Sequence, residues 1–145
     1  MRQVVPYSLW LGHVGHVRNL GSILDAGITA LVDLAPNEPP AKIARDLIYC
    51  RFPLVDGPGN PPWLLRLAVE TTAALVRARV RTLVFCGAGM SRSPAIAAAA
   101  VARVSGWGAE ECLVELLQGA PRDVTPALWQ DMRSALSGPA STEAG

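Results

Sequence analysis

Apolar residues along this chain fall either at helical spacing or in short continuous runs, and the switches between the two mark its elements. Val14, Val17, Leu20, Ile23 and Leu24 share one helical face, which predicts a helix over 14–26, and Gly27 suits a left-handed stop. Ile28 to Leu34 is apolar and β-branched and predicts a buried strand. Leu47 to Leu54 predicts a second buried strand. A long helix follows over 63–78, with Leu64, Leu67, Ala68 and Leu75 at helical spacing. Arg81 to Phe85 predicts one more strand, and three helices are predicted after it, near 92–105, 109–117 and 126–136. Two stretches cannot be regular structure. Ala35 to Pro40 holds three prolines, and Asp56 to Pro62 holds three prolines and two glycines. Residues 138–145 read as a disordered tail outside a domain of residues 1–137.

Alternating strands and helices imply a single α/β domain. Its central sheet is expected to be mainly parallel, with about four to five strands and helices on both faces. In such sheets ligands collect at the carboxyl ends of the strands. Phe85 ends one predicted strand and Leu54 another. The loop after each therefore emerges on the same edge.

The loop after Phe85 carries the chemistry. It reads Cys86-Gly87-Ala88-Gly89-Met90-Ser91-Arg92, and the helix begins at once with Ser93. Its backbone N–H groups and the helix N-terminus form a cradle for a dianion. The planar fork of Arg92 matches two phosphoryl oxygens. The field that holds an anion there also favours a thiolate at Cys86, so anion binding and nucleophile activation share one cause. Taken alone, Cys86 could equally be a small buried core residue. Arg92 at this spacing, directly before a helix, argues for the catalytic role.

Cys86 to Ser93 also forms the Cys-x5-Arg-Ser signature, and the chain resembles the protein tyrosine phosphatase superfamily, in particular its small dual-specificity branch. The likeness runs nearly end to end. Tyr7 to Gly12 is similar to that family's opening strand, and Leu24 to Leu34 to its first helix and second strand. Phe52 to Asp56 is similar to the strand leading to its general-acid loop, and Gly108 to Glu111 to its penultimate helix start. The resemblance implies a cysteine-phosphatase fold and a metal-independent phosphomonoester hydrolase. Cys86 would be the nucleophile, and residues 87–91 with Arg92 would bind the phosphate. Ser93 would hydrogen-bond the cysteine sulfur. The substrate would be a phosphoprotein or phosphopeptide. The other readings are a small phosphorylated metabolite as substrate, or a weakly active phosphopeptide-binding module.

Asp56 is the candidate general acid, on a sharply turning loop at a strand end, 30 residues before Cys86. Its alternative is a turn aspartate bonded to its own loop. Asp33 and Asp46 are weaker rivals, and Asp33 reads as structural. Ser91 reads as shaping the loop. Phe85 stands where the family usually has histidine, and it cannot donate a hydrogen bond to the loop. Arg122, before the last helix, is a candidate second anion site; its alternative is an ion pair with Asp123 or Glu111.

Composition narrows the partners. Net charge is +1, which implies no general attraction to nucleic acid or an anionic membrane. No apolar run approaches the length of a membrane span, and the N-terminal residues lack a secretory core. Three cysteines, an odd number without metal-ligand spacing, argue for a reducing compartment and against a disulfide framework; a cytoplasmic location and no metal or cofactor are expected. His13 and His16 read as polar residues on a surface loop or early helix. The protein is expected to be a monomer.

Overall fold

The computed structural model describes residues 1–35, 46–88, 91–116 and 123–137. Its centre is β5 (Thr82–Cys86), a strand buried at every position. β2 (Leu9–His13) lies parallel to it on one side and β3 (Ala30–Asp33) parallel on the other. β4 (Ile48–Arg51) extends the sheet beyond β3, and β1 (Arg2–Gln3) runs antiparallel at the far edge, giving the order β1-β2-β5-β3-β4. The α/β class and the mainly parallel sheet agree with the sequence pattern.

Residue alternation splits the core into two layers. Leu9, Leu11, Val32, Val84 and Cys86 face one side of the sheet. There they meet α3 (Pro62–Arg77), α4 (Arg92–Ser105), α5 (Ala109–Leu116) and α6 (Pro126–Ser137). Trp10, Leu31, Leu83 and Phe85 face the other side and pack with Val17, Ile23 and Ile28. Phe85 and Cys86 therefore point into opposite layers. α4 is buried all along Ser93–Val101 because the sheet lies beneath it and α3 and α5 flank it. Its alanines let those neighbours approach closely.

Two predicted elements differ from the structure. The helix over 14–26 is two short helices, α1 (Val14–Val17) and α2 (Leu20–Asp25). Asn19 breaks it: its backbone is non-helical, and its Oδ1 accepts from Ser22 N at 3.3 Å, starting a new helix. β4 is a partly exposed edge strand, with Ile48 47% exposed, because among the described residues only β3 pairs with it. β1 went unread because two residues carry no period. The tail at 138–145 and most of the Ala35–Pro40 loop lie outside the described residues.

Gly27 ends α2 with φ +72°, and a Cβ there would sit 3.0 Å from Arg81 Nε. Arg81 is not free to retreat. It donates to Ala26 O at 2.7 and 2.9 Å and lies 4.6 Å over the Trp10 ring. Gly27→Ala should therefore destabilise the fold by about 1–2 kcal/mol. Gly21→Ala, within α2 and facing ordinary space, should stabilise by up to about 1 kcal/mol. Urea unfolding of both variants checks the opposite signs.

Candidate active site

β5 ends at Cys86, and α4 starts at Arg92, so the candidate loop joins the middle of the sheet to a buried helix. Cys86 is 2% exposed and Ser93 is fully buried. Ser93 Oγ donates to Cys86 Sγ at 2.8 Å. That contact stabilises negative charge on the sulfur and needs no movement to do so. Gly87, Ala88, Ser91 and Arg92 are described; Gly89 and Met90 lie outside the described residues. In the first turn of α4, Pro94 has no N–H and Ala95 N donates to Ser91 O at 3.1 Å, which leaves the amides of Arg92 and Ser93 at the helix start.

Arg92 is held from behind. Its Nη1 donates to Leu54 O at 3.0 Å and to Leu34 O at 3.3 Å, the carbonyls beyond the ends of β4 and β3. Nη2 lies 3.2 Å from where a Cβ on Gly87 would stand, so the guanidinium lies against the start of the loop. Nε is buried and has no hydrogen-bond partner among the described residues. A buried guanidinium N–H left unsatisfied is costly unless an anion meets it. The arrangement could hold a dianion beside the Cys86 thiol, with the Nε edge of Arg92 available.

Asp56, in the chain after β4, meets this loop at the same carboxyl edge of the sheet, since β4, β3 and β5 run parallel. Its Oδ1 accepts from Ser91 Oγ at 2.6 Å and from Thr125 Oγ1 at 2.8 Å. Both of these bonds fall on Oδ1, and Oδ2 accepts none among the described residues. Asn60 builds the loop from inside: its Oδ1 accepts from Val55 N at 2.8 Å, and its Nδ2 donates to Val55 O at 2.8 Å and to Gly57 O at 3.4 Å. Gly59 N donates to Asp131 Oδ2 on α6 at 3.3 Å. Asp56 is thus not a turn residue bonded to its own loop, since its described partners come from two other segments.

The remaining candidates separate cleanly. Asp33 is 1% exposed and accepts from Ala35 N and from the Tyr49 hydroxyl, with Arg51 Nε 3.8 Å away; it stiffens the β3–β4 edge. Asp46 is exposed before β4. His13 pairs in register with Cys86, but its Nδ1 caps α1 by accepting from Gly15 N and its ring stacks on His16 at 3.8 Å. Burial, the N-terminal amine and His13 hold His16 below the usual histidine range. Burial pushes the Cys50 thiol up, and Cys112 likewise, with Ser105 opposing and Glu111 adding to the rise. Neither environment favours a thiolate. Arg122 lies outside the described residues. Among those described, no group of histidine, cysteine and carboxylate residues could hold a metal.

Two residues escaped the sequence reading. Asn60 had a signal, since an asparagine among prolines and glycines often closes a turn with its side chain. Thr125 before Pro126 reads only as a helix start.

No family model and no curated protein matches this chain. Solved structures do. Human DUSP28 superposes with a TM-score of 0.81 at 24% identity over 99% of both chains. A mouse putative dual specificity phosphatase complexed with zinc tungstate gives 0.79 at 24% identity, over 92% of this chain and 84% of that one. A human tyrosine phosphatase-like serine/threonine/tyrosine-interacting protein gives 0.80 at 18% identity, over 94% and 95%. The chain has the dual-specificity phosphatase fold.

The cradle makes a direct prediction. Arg92→Ala should weaken binding of inorganic phosphate by about 10- to 100-fold, the cost of a lost charge-assisted pair. Titration calorimetry on folded protein measures it; unchanged affinity would remove Arg92 from the anion site.

Proposed function

We propose that residues 1–137 form a phosphatase domain, a metal-independent hydrolase of phosphomonoesters that works through a cysteinyl-phosphate. The observation that carries this reading is the pairing of Ser93 Oγ with Cys86 Sγ at 2.8 Å beside an Arg92 guanidinium held by two carbonyls. Sulfur, hydroxyl and guanidinium have the chemistry that phosphoryl transfer to a thiolate requires.

In the first step the Cys86 thiolate attacks phosphorus. The S–P bond forms as the ester P–O bond breaks, and Asp56 gives its proton to the departing oxygen. Arg92 and the loop amides bind the equatorial oxygens, whose charge the transition state spreads among them. In the second step Asp56, now a carboxylate, takes a proton from water as that water attacks phosphorus. The P–S bond breaks, and Ser93 meets the returning negative charge on Cys86. Phosphate leaves and the site is restored.

The substrate we propose is a phosphoprotein carrying phosphotyrosine, with phosphoserine and phosphothreonine also admitted. Two features support it. The sequence between β3 and β4 is short and contains no aromatic residue, so it supplies no deep aromatic wall, and residues 87–91 contain no lysine to select a polyphosphorylated headgroup. Among the described residues no helix is long and apolar enough to cross a membrane. We place the enzyme in the cytoplasm, acting as a monomer without a cofactor.

Cys86→Ser should abolish turnover of phosphopeptides in EDTA while phosphate still binds, because a serine alkoxide forms far less readily than a thiolate. Retention of more than a few per cent of activity would end the covalent mechanism. Asp56→Asn should lower kcat about 100-fold for poor leaving groups and far less for an acidic aryl phosphate. A series of aryl phosphates measures the contrast, and equal losses across it would assign the acid to another group.

A further inference from the structure

The hydroxyl of Thr125 lies in a segment that no part of the phosphate cradle requires. Thr125 Oγ1 donates to Asp56 Oδ1 at 2.8 Å. Thr125 N donates to Ser91 Oγ at 3.0 Å, and Ser91 Oγ in turn donates to the same Asp56 Oδ1 at 2.6 Å. The two hydroxyls stand 3.3 Å apart. Three segments distant in sequence therefore meet at one carboxylate oxygen: the acid loop, the end of the phosphate loop, and the start of α6.

We propose that Thr125 is the positioning residue for the general acid, holding Asp56 by its Oδ1 so that Oδ2 carries the proton toward the leaving oxygen. The inference rests on the phosphatase reading for what the carboxyl does, but not for how it is held. The acid loop is short and made largely of glycine and proline, and its own internal bonds run through Asn60 to Val55 and Gly57, not to Asp56. Asp56 is exposed to solvent, so no packing fixes its rotamer. Its orientation comes from the two hydroxyls. Ser91 is buried and belongs to the phosphate loop itself. Thr125 is anchored elsewhere: Trp129 N donates to Thr125 O at 3.0 Å, and Leu128 and Met132 of the same helix are fully buried. α6 also reaches the acid loop at Asp131, which accepts from Gly59 N. The helix thus acts as a rigid reference for the acid, independent of whether phosphate is bound.

The test uses Thr125→Val, which keeps shape and loses the hydroxyl, and Thr125→Ser, which keeps the hydroxyl. The valine variant should lose about tenfold in kcat on phenyl phosphate, with KM nearly level, and lose little on an aryl phosphate with an acidic phenol. Thr125→Ser should match wild type on both. In an Asp56→Asn background, Thr125→Val should have no further effect, because the group it positions is gone. Amide exchange at Gly57, Gly59 and Asn60 should speed up in the valine variant and recover in the serine one, whatever the activity. Wild-type protein inactive on every phosphate ester would end the phosphatase reading and leave the loop-holding role to the exchange data. Unchanged exchange, equal losses on both esters, additive effects with Asp56→Asn, or a serine variant as impaired as the valine would each overturn the proposal. If Thr125→Val does not fold, the serine variant and the exchange profile of wild type with and without phosphate decide it: protection at 57–60 present only with phosphate would overturn a phosphate-independent anchor.

Discussion

Arg92 held by the carbonyls of Leu34 and Leu54 is the interaction on which the rest of the site depends. A guanidinium has one rigid plane and five donors. Spending Nη1 on two main-chain oxygens fixes that plane without consuming charge. The carbonyls come from the chain just beyond β3 and β4, so the geometry of the sheet edge is transmitted to the first residue of α4. The buried Nε and the Nη2 beside Gly87 are then oriented before any ligand arrives. Such preorganisation is what makes an electrostatic site effective.

The second constraint is the pleat of β5. Successive side chains must leave on opposite faces. Phe85 goes to the smaller core with Trp10 and Val17, and Cys86 goes to the larger one under α4. That places the sulfur against Ser93, the second residue of α4, with no special backbone device. It also explains why an apolar residue is accommodated before the cysteine. Phe85 fills a dry layer built from Ile23, Ile28 and Leu31, on the face away from Ser93.

Asp56, the proposed acid, is organised on another principle. Arg92 and Ser93 are fixed by a long buried helix, whereas Asp56 sits on an exposed loop and is fixed by hydroxyls from elsewhere. A site with a rigid anion cradle and a loop-borne acid joins its parts only where segments distant in sequence meet. Here Ser91 is the junction, since it belongs to the cradle and bonds both Asp56 and Thr125.

Much of this was legible in the sequence because its determinants are local. Continuous apolar, β-branched runs located β3 and β5, helical patterns located α3 to α6, and the residues from Cys86 to Ser93 marked the candidate anion loop. Asp56 was legible through its place at a strand end. What the chain's order could not show was contact between remote residues. Asn19 splitting one helix into two depends on a side chain competing with the backbone, and β4 is partly exposed because among the described residues nothing pairs beyond it. Thr125 reads as a plain helix start, and only folding brings its hydroxyl 2.8 Å from a carboxylate 69 residues away. Local propensity and pattern decide which elements form. The partner of a lone hydroxyl is decided by how those elements pack, because a hydrogen bond needs its two atoms in place and carries no trace in the spacing of either residue's neighbours.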